Sequence, residues 1–296
     1  MGLPSFVVIG AMRCGTTSMH AYLREHPEIF MSPEKEPDYF SLGDLPPSEL
    51  PRDPWRHRAQ DREQYERLFR DAGDARAVGE ASASYLFFAR SAERMQQVIP
   101  DGRLICILRD PIERAYSHFG LNLKVGFETL SDFESAVSAE NDPRRQQYGI
   151  RFAYTGASLY HDRLRGFWTR FPRERILVLL FQDFAADPAG TMRRVYDFLA
   201  VDPRFTPDVA VRHNRSMTPR GSLVREAFGR QRRLRRFLQR NLPPRLVTRI
   251  GDVIMRPPPG LTPEVRERLL PRFDAEIQRL EALLDRDLSA WRSAQA

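Results

Sequence analysis

Residues 5–18 read Ser-Phe-Val-Val-Ile-Gly-Ala-Met-Arg-Cys-Gly-Thr-Thr-Ser, an apolar run followed by a loop between two glycines and the start of a helix. The N–H groups of such a loop and the positive end of the helix bind anionic oxygens. Gly10 and Gly15 keep the spacing of the nucleotide triphosphatase loop, but Thr16 stands where that loop has its lysine. The strong cation lies inside the loop, at Arg13. The stretch therefore predicts a phosphate-binding strand, loop and helix, and it disfavours hydrolysis of ATP or GTP.

The two cysteines have neither a disulfide pattern nor metal-ligand spacing. Cys106 lies in an apolar run, and Cys14 lies inside the phosphate loop. Two interpretations of Cys14 stay open: a reactive thiol at a helix N-terminus, or a small residue in a tight turn.

The composition is that of a soluble protein, with 42% hydrophobic and 29% charged residues among 296. The net charge of +7 comes from 44 arginines and two lysines against 39 acidic residues. This charge suits an anionic ligand or an acidic acceptor but does not by itself indicate nucleic-acid binding. We expect one domain over residues 1–296, with a nucleotide-binding core at 1–200 that carries the acceptor-site insertions. Residues 201–296 are expected to form a basic, mainly helical part that completes the cofactor site.

Targeting segments are not expected. The first predicted strand begins close to Met1, which leaves no room for a signal peptide before it. The longest apolar runs, Leu104–Leu108 and Ile176–Phe181, are far shorter than the ~20 residues that span a bilayer. The sequence therefore predicts a cytoplasmic protein without a transmembrane segment.

Strand-like and helix-like segments alternate along the chain. Besides residues 6–10, the predicted strands are 29–31, 78–81, 104–108 and 176–181. Helices are predicted at 17–25, 89–98, 112–123, 131–140, 158–170, 191–199 and 263–284. Such alternation predicts an α/β fold in three layers, similar to P-loop proteins, with a mostly parallel central sheet flanked by helices. Ligands of these sheets bind at the carboxyl ends of the strands.

A second informative segment, residues 104–117, is an apolar strand that ends in Arg109 and leads into a helix with Pro111 in its first turn. The guanidinium of Arg109 suits a terminal phosphate, and Ser117 lies two turns into the helix on a face that can turn toward it. Two alternative interpretations of this strand end stay open. In one, Arg109 forms an ion pair at the sheet edge; in the other, Asp110 holds a metal ion.

A third segment, residues 32–40, places charged residues between two prolines, which favour an extended chain. Glu34, Glu36 and Asp38 are candidate general bases, and alternation along an extended chain would put all three on one side. Lys35 is one of two lysines in a chain that otherwise uses arginine, which suggests a need for a compact ammonium group.

The C-terminal part contains a basic stretch at 220–256 and a predicted amphipathic helix at 263–284, followed by Trp291. The basic stretch is open to two interpretations: a solvated helical face, or a surface for a nucleic acid, a membrane or an acidic substrate.

Taken together, the three segments resemble the sulfotransferases that use 3′-phosphoadenosine 5′-phosphosulfate (PAPS), especially the bacterial and glycan branch. Residues 6–18 are similar to the 5′-phosphosulfate loop of that family, residues 108–119 to its 3′-phosphate motif, and residues 35–40 to its lysine-glutamate element. Weaker matches at 79–85, 160–172, 183–199, the loop around Asn214 and the final helix extend the resemblance over nearly the whole chain. The resemblance implies a donor site made by Arg13, Cys14, Gly15, Thr16, Thr17, Ser18, Arg109 and Ser117.

The resemblance also implies catalytic roles for Glu36, as general base, and Arg13, as the cation for the leaving group. It implies no metal. The sequence departs from the family at two of these places, since relatives often carry lysine at the position of Arg13 and histidine at that of Asp38. A late basic loop at 211–220 corresponds to one that closes over the nucleotide in relatives.

The acceptor is expected to be a glycan, a glycolipid or a small metabolite that offers a hydroxyl or an amine. Lys35, Glu80 and Tyr85 are candidate acceptor-binding residues, within a pocket shaped by 41–75, 80–88 and 124–155. No nucleic-acid partner is expected, and a homodimer is compatible with the sequence. The alternatives are a P-loop kinase or triphosphatase, and a polyanion-binding protein that uses residues 220–256.

Overall fold

The computed structural model describes residues 2–52, 61–209, 218–219, 255–256 and 261–293. Its centre is a parallel five-stranded sheet with the order β2-β3-β1-β4-β5. The strands are β1 (Phe6–Gly10), β2 (Ile29–Met31), β3 (Ala77–Ala81), β4 (Arg103–Leu108) and β5 (Ile176–Leu180). Two further short strands, β6 (Thr218–Pro219) and β7 (Met255–Arg256), form an antiparallel pair. The predicted α/β fold with a mostly parallel sheet is confirmed, and all five predicted strands are present.

Helices flank the sheet. The α-helices are α1 (Thr16–Glu25), α2 (Tyr39–Leu42), α3 (Arg62–Arg67), α4 (Arg90–Val98), α5 (Pro111–Val125), α6 (Phe133–Ser138), α7 (Pro143–Gln146), α8 (His161–Trp168), α9 (Phe181–Ala186), α10 (Pro188–Leu199), α11 (Pro263–Leu269) and α12 (Asp274–Leu284). Single 3₁₀ turns lie at Gly149–Phe152, Gly156–Ser158, Arg173–Arg175, Leu270–Arg272 and Ser289–Arg292.

The sheet is buried because its strands are nearly continuous apolar runs, as expected when helices cover both faces. Every residue of β1 is buried, and β1 pairs with β3 on one side and β4 on the other. Phe6 lies opposite Gly79, where a Cβ atom would come within 2.2 Å of the Phe6 ring. Glycine at this position therefore lets the aromatic ring pack directly on the neighbouring strand.

The two helical layers follow from the direction of the crossovers. The chain moves from β1 to β2 in one direction along the sheet and from β3 to β4 in the other, so right-handed connections place α1 and α4 on opposite faces. The layer of α1 includes α10, whose Tyr196 hydroxyl donates to the Tyr22 carbonyl oxygen. The strand order reverses between β1 and β4, and this is where ligands bind in open α/β sheets.

The predicted C-terminal helix over 263–284 is wrong in one respect: it is two helices. The first ends at Leu269, a 3₁₀ turn follows, and the second begins at Asp274. Pro271 lies in this turn and has no N–H to continue an α-helical ladder, which explains the break.

Some predictions lie outside the described residues. These concern most of the basic stretch 220–256 and nearly all of the late loop 211–220. Among the helices that the structure describes, none has the length and apolar composition needed to cross a membrane.

Candidate functional site

The predicted phosphate loop leaves the carboxyl end of β1 and opens α1. Gly15 is the N-cap of α1 and has a φ of 91°, a left-handed conformation that suits glycine. The N–H groups in the first turn of a helix have no acceptor within that helix, and here this turn comprises Thr16, Thr17 and Ser18. The loop therefore has the geometry of an anion cradle.

Arg13 turns from the loop toward the helix after β4. Its Nε donates a hydrogen bond of 3.1 Å to Ser117 Oγ. Burial lowers the pKa of Arg13 to about 10; the Arg109 guanidinium adds to the lowering, while the charge of Glu36 opposes it. Arg13 stays cationic at neutral pH in a region that already contains another arginine, an arrangement that an anionic ligand would stabilise.

Arg109 lies just beyond the carboxyl end of β4, as predicted. Its Nε and Nη2 each lie 2.9 Å from Glu113 Oε2, and its guanidinium lies over the Phe181 ring, 4.7 Å from the centroid. The Tyr160 hydroxyl donates to its carbonyl oxygen. The predicted edge ion pair is therefore present, and it orients a partly exposed guanidinium near Arg13.

Asp110 is used within the fold. Its Oδ1 accepts hydrogen bonds of 2.9 Å from the N–H groups of Ile112 and Glu113, which caps α5. Its Oδ2 accepts from Arg266 Nη2 of α11. Both carboxylate oxygens of Asp110 are therefore engaged by groups of the protein itself. Among the residues that the structure describes, no cluster of three histidine, cysteine or carboxylate side chains suits a metal.

The lysine-glutamate element lies at the carboxyl end of β3. Lys35 Nζ lies 2.7 Å from Glu36 Oε1, and their side chains are 22% and 39% exposed. The Glu36 N–H donates to the carbonyl oxygen of Ala81, the last residue of β3. This bond places Glu36 on the same sheet edge as the phosphate loop.

The predicted common face of Glu34, Glu36 and Asp38 is wrong. Glu36 and Asp38 have φ values of 61° and 55°, so the segment turns instead of staying extended. Glu34 is exposed, Glu36 is partly buried, and Asp38 is 2% exposed. The Ser84 hydroxyl donates to Asp38 Oδ1, and the Ser82 hydroxyl accepts from the Asp38 N–H. Tertiary hydrogen bonds thus draw Asp38 into the core.

Glu80 and Tyr85, two candidate acceptor-binding residues, are fully buried. Tyr65 and Ser82 donate hydroxyl hydrogen bonds to Glu80, and the Tyr85 hydroxyl accepts from the Phe40 N–H. The structure therefore places both residues beneath the surface, where they support the segment that carries Glu36.

Cys14 is also fully buried, and burial raises the pKa of its thiol to about 11. Burial disfavours the interpretation as a reactive thiol, because reactive cysteines are accessible and have lowered pKa values. Cys14 is a small residue in a tight turn.

Three further residues at or near the site were not predicted from the sequence. His20 is buried one turn beyond Thr16 in α1, and burial, followed by the charge of Lys35, lowers its pKa to about 4. Arg114 of α5 is fully buried, with its Nε 2.6 Å from Ser158 Oγ. Arg266 reaches Asp110 from the C-terminal helices. Among the three, only His20 could have been found from a local pattern: it lies four residues after Thr16, so the two side chains share one face of α1.

Comparison with known proteins adds an independent finding. The model described as the sulfotransferase family matches residues 4–207. The crystal structure of a sulfotransferase from Alicyclobacillus acidocaldarius is similar at 32% sequence identity and a TM-score of 0.76, over 99% of this chain and 100% of that one.

Curated relatives are more distant. Carbohydrate sulfotransferase 15 of Rattus norvegicus is 24% identical over 252 residues, covering 68% of this chain and 44% of the relative. Heparan sulfate glucosamine 3-O-sulfotransferase 3A1 of Mus musculus is 25% identical over 202 residues, covering 67% of this chain and 46% of the relative. The chain spans less than half the length of both.

Proposed function

The chain belongs to the sulfotransferase family, and from this premise we propose that it transfers the sulfuryl group of PAPS to a hydroxyl or an amine of an acceptor. The observation that carries the proposal is the hydrogen bond from Arg13 to Ser117, which joins the loop after β1 to the helix after β4. A nucleotide with anionic groups at both its 5′ and 3′ positions needs two such anion sites close together.

The residues present fit this donor. The cradle at residues 13–18 suits the 5′-phosphosulfate, since it combines helix N–H groups with one guanidinium. Arg109 and Ser117 suit the 3′-phosphate, because a planar guanidinium and a hydroxyl can both donate to phosphate oxygens. Glu113 holds the Arg109 guanidinium in position by accepting a 2.9 Å hydrogen bond from its Nε.

Glu36 is proposed as the general base. It would take the proton of the attacking acceptor oxygen or nitrogen, so that the bond from sulfur to the acceptor forms as the bond from sulfur to the 5′-phosphate oxygen breaks. The nucleotide then leaves as 3′-phosphoadenosine 5′-phosphate (PAP). Lys35 holds the carboxylate through the 2.7 Å ion pair and limits the orientations open to it.

Arg13 and the N–H groups of residues 15–18 would stabilise the charge that develops on the leaving phosphate oxygen. The Cys14 N–H, which the resemblance also implies as a donor, is hydrogen-bonded to the Ala11 carbonyl oxygen. Such groups contribute most when they are held in place before reaction. The left-handed backbone at Arg13, with a φ of 73°, and its bond to Ser117 hold the guanidinium in this way. No step of this scheme is routed through a metal ion.

We propose a glycan-type acceptor, with glycolipids and small metabolites as the other candidates. The support is the similarity to proteins named as carbohydrate and heparan sulfate sulfotransferases. Phe87, Phe88 and Tyr148 are half-buried aromatic rings within the predicted acceptor segments, and we propose them as stacking partners for a sugar. The face of Phe87 that would stack is the one opposite the Arg163 guanidinium, which lies 4.5 Å from the ring centroid. A cytoplasmic location, a homodimer and the absence of a nucleic-acid partner stay predictions.

Family membership favours sulfuryl transfer over the kinase or triphosphatase alternative. The test is to incubate the protein with PAPS and a panel of hydroxyl- and amine-bearing acceptors, with ATP in a parallel series. We expect PAP release and a sulfated product by mass spectrometry with PAPS and at least one acceptor. Turnover of ATP without any sulfated product would overturn the proposal. A polyanion-binding protein would show neither product.

A further inference from the structure

A buried ion pair joins the C-terminal helices to the predicted 3′-phosphate motif. Arg266 Nη2 of α11 lies 2.5 Å from Asp110 Oδ2, and the two residues are 3% and 5% exposed. The same guanidinium donates to the carbonyl oxygens of Trp291, at 2.8 Å, and Ser293, at 2.6 Å. Arg266 is therefore held by three oxygen acceptors, one of which carries a charge.

Asp110, the other partner of the pair, lies at the start of the helix that carries Ser117. Asp110 follows Arg109 in the chain, and its carboxylate caps the helix that carries Ser117. An uncompensated buried carboxylate on the residue that follows Arg109 would repel a phosphate dianion held by Arg109, because charges interact strongly where water is excluded. It would also be costly to leave unpaired. Arg266 supplies the compensating charge.

We infer that Arg266 is a positioning residue for the donor nucleotide: it neutralises the charge of Asp110, so that Arg109 and Ser117 can accept a 3′-phosphate. This inference rests on the proposed function. Arg266 lies beyond residues 4–207, the segment that matches the family model, so the family match assigns it no role. It acts through Asp110 and is not proposed to touch the nucleotide.

A simpler role would be to attach the C-terminal helices to the rest of the fold. Other contacts already do this. Arg268 of α11 pairs with Glu134 of α6 through two bonds of 2.6 and 2.7 Å, and Trp291 Nε1 donates to Gln182 Oε1. In α12, Glu276 accepts from the His161 N–H. The pair with Glu134 thus offers a matched control, since it starts from the same helix and ends away from Asp110.

The test compares Arg266→Met, Asp110→Asn, the double variant with both changes, and Arg268→Met. Isothermal calorimetry gives the affinity of each for PAP and for adenosine 5′-phosphate, which lacks the 3′-phosphate. The ratio of the two affinities measures recognition of the 3′-phosphate and is insensitive to a general loss of folded protein.

We expect Arg266→Met to lower this ratio about tenfold or more, because it leaves a buried charge unpaired beside the site. The double variant should regain the wild-type ratio within about threefold, since asparagine still caps α5 and carries no charge. Arg268→Met should keep the wild-type ratio. The inference is overturned if Arg266→Met keeps the wild-type ratio, or if the double variant stays as low as the single one.

Should Arg266→Met fail to fold, Asp110→Asn alone decides. It removes the negative charge and leaves Arg266 in place, so the ratio should stay at or above the wild-type value, and a fall would overturn the inference. If the wild-type protein itself shows no preference for PAP over adenosine 5′-phosphate, the proposed function fails first.

Discussion

Arg13 Nε donates a 3.1 Å hydrogen bond to Ser117 Oγ, which connects two motifs that lie 104 residues apart in the chain. The family resemblance implies a role for Arg13 at the leaving group and for Ser117 at the 3′-phosphate, as separate parts of the site. The structure brings their side chains into direct contact. The loop cation is therefore positioned by a residue of the helix that follows β4.

The contact predicts that substitutions at these two positions are not independent. Arg13→Ala should lower kcat about 10²-fold or more and also weaken PAP binding, because in the proposed mechanism the guanidinium contacts both donor and transition state. Ser117→Ala should mainly weaken PAP binding. In a double-mutant cycle on PAP affinity, the coupling should be about 0.5 kcal/mol or more. Additive effects would mean that the hydrogen bond does not persist with nucleotide bound.

Glu36→Gln should remove most turnover and leave PAP binding nearly intact. A general base typically contributes ~10²–10⁴-fold, and the glutamine side chain has almost the same shape but cannot take the proton. The matched control is Glu34→Gln, an exposed carboxylate two residues earlier in the same segment. It should turn over at the wild-type rate. Wild-type turnover by Glu36→Gln in the same steady-state assay would show that the base lies elsewhere.

Arg109→Met should weaken PAP binding roughly 10- to 100-fold, which is the worth of a hydrogen bond to a charged group. Binding of adenosine 5′-phosphate should change little, because it has no 3′-phosphate. Arg103 lies at the opposite end of the same strand, where its Nη1 donates to the Leu199 carbonyl oxygen. Calorimetry on Arg103→Met should give the wild-type PAP affinity. Equal losses for both nucleotides in Arg109→Met would argue for a structural role.

Glu80 predicts a pH-dependent stability. Burial raises the pKa of Glu80 from 4.5 to about 8, and the charge of Asp38 adds to the rise. Between these values the folded state holds a proton that the unfolded state has released, so the free energy of unfolding falls as pH rises from about 4.5 to about 8. The slope from this group is at most about 1.4 kcal/mol per pH unit.

Glu80→Gln should flatten this part of the profile, since glutamine has no proton to lose. Urea unfolding from about pH 5 to about pH 8 measures it. The exposed Glu49→Gln is the control and should run parallel to the wild type. If Glu80→Gln and the wild type keep a constant difference across this range, Glu80 does not titrate there.

Local patterns in the sequence determined the strands of the central sheet and the residue types of the candidate site. The apolar runs that became β1, β4 and β5 are continuous, and strands buried on both faces need just such runs. Local patterns also indicated Gly15 as the turn residue before α1 and Pro111 as the start of α5. They marked Arg13, Arg109 and Glu36 as charged groups of the candidate site. The break at Leu270–Arg272 could also have been predicted from Pro271, because proline interrupts an α-helix, although a single amphipathic helix was predicted there.

What only the tertiary structure decided are the contacts between distant segments. Glu36 and Asp38 adopt left-handed backbone conformations that non-glycine residues avoid, and hydrogen bonds to Ala81 and to Ser82 support them there. The pair Asp110–Arg266 spans 156 residues. No local sequence pattern around Asp110 or Arg266 predicts this ion pair. The partner of a buried charge depends on which distant residue the fold places next to it. The sequence thus indicated the groups that we propose to bind an anion, and the fold decided how they are held.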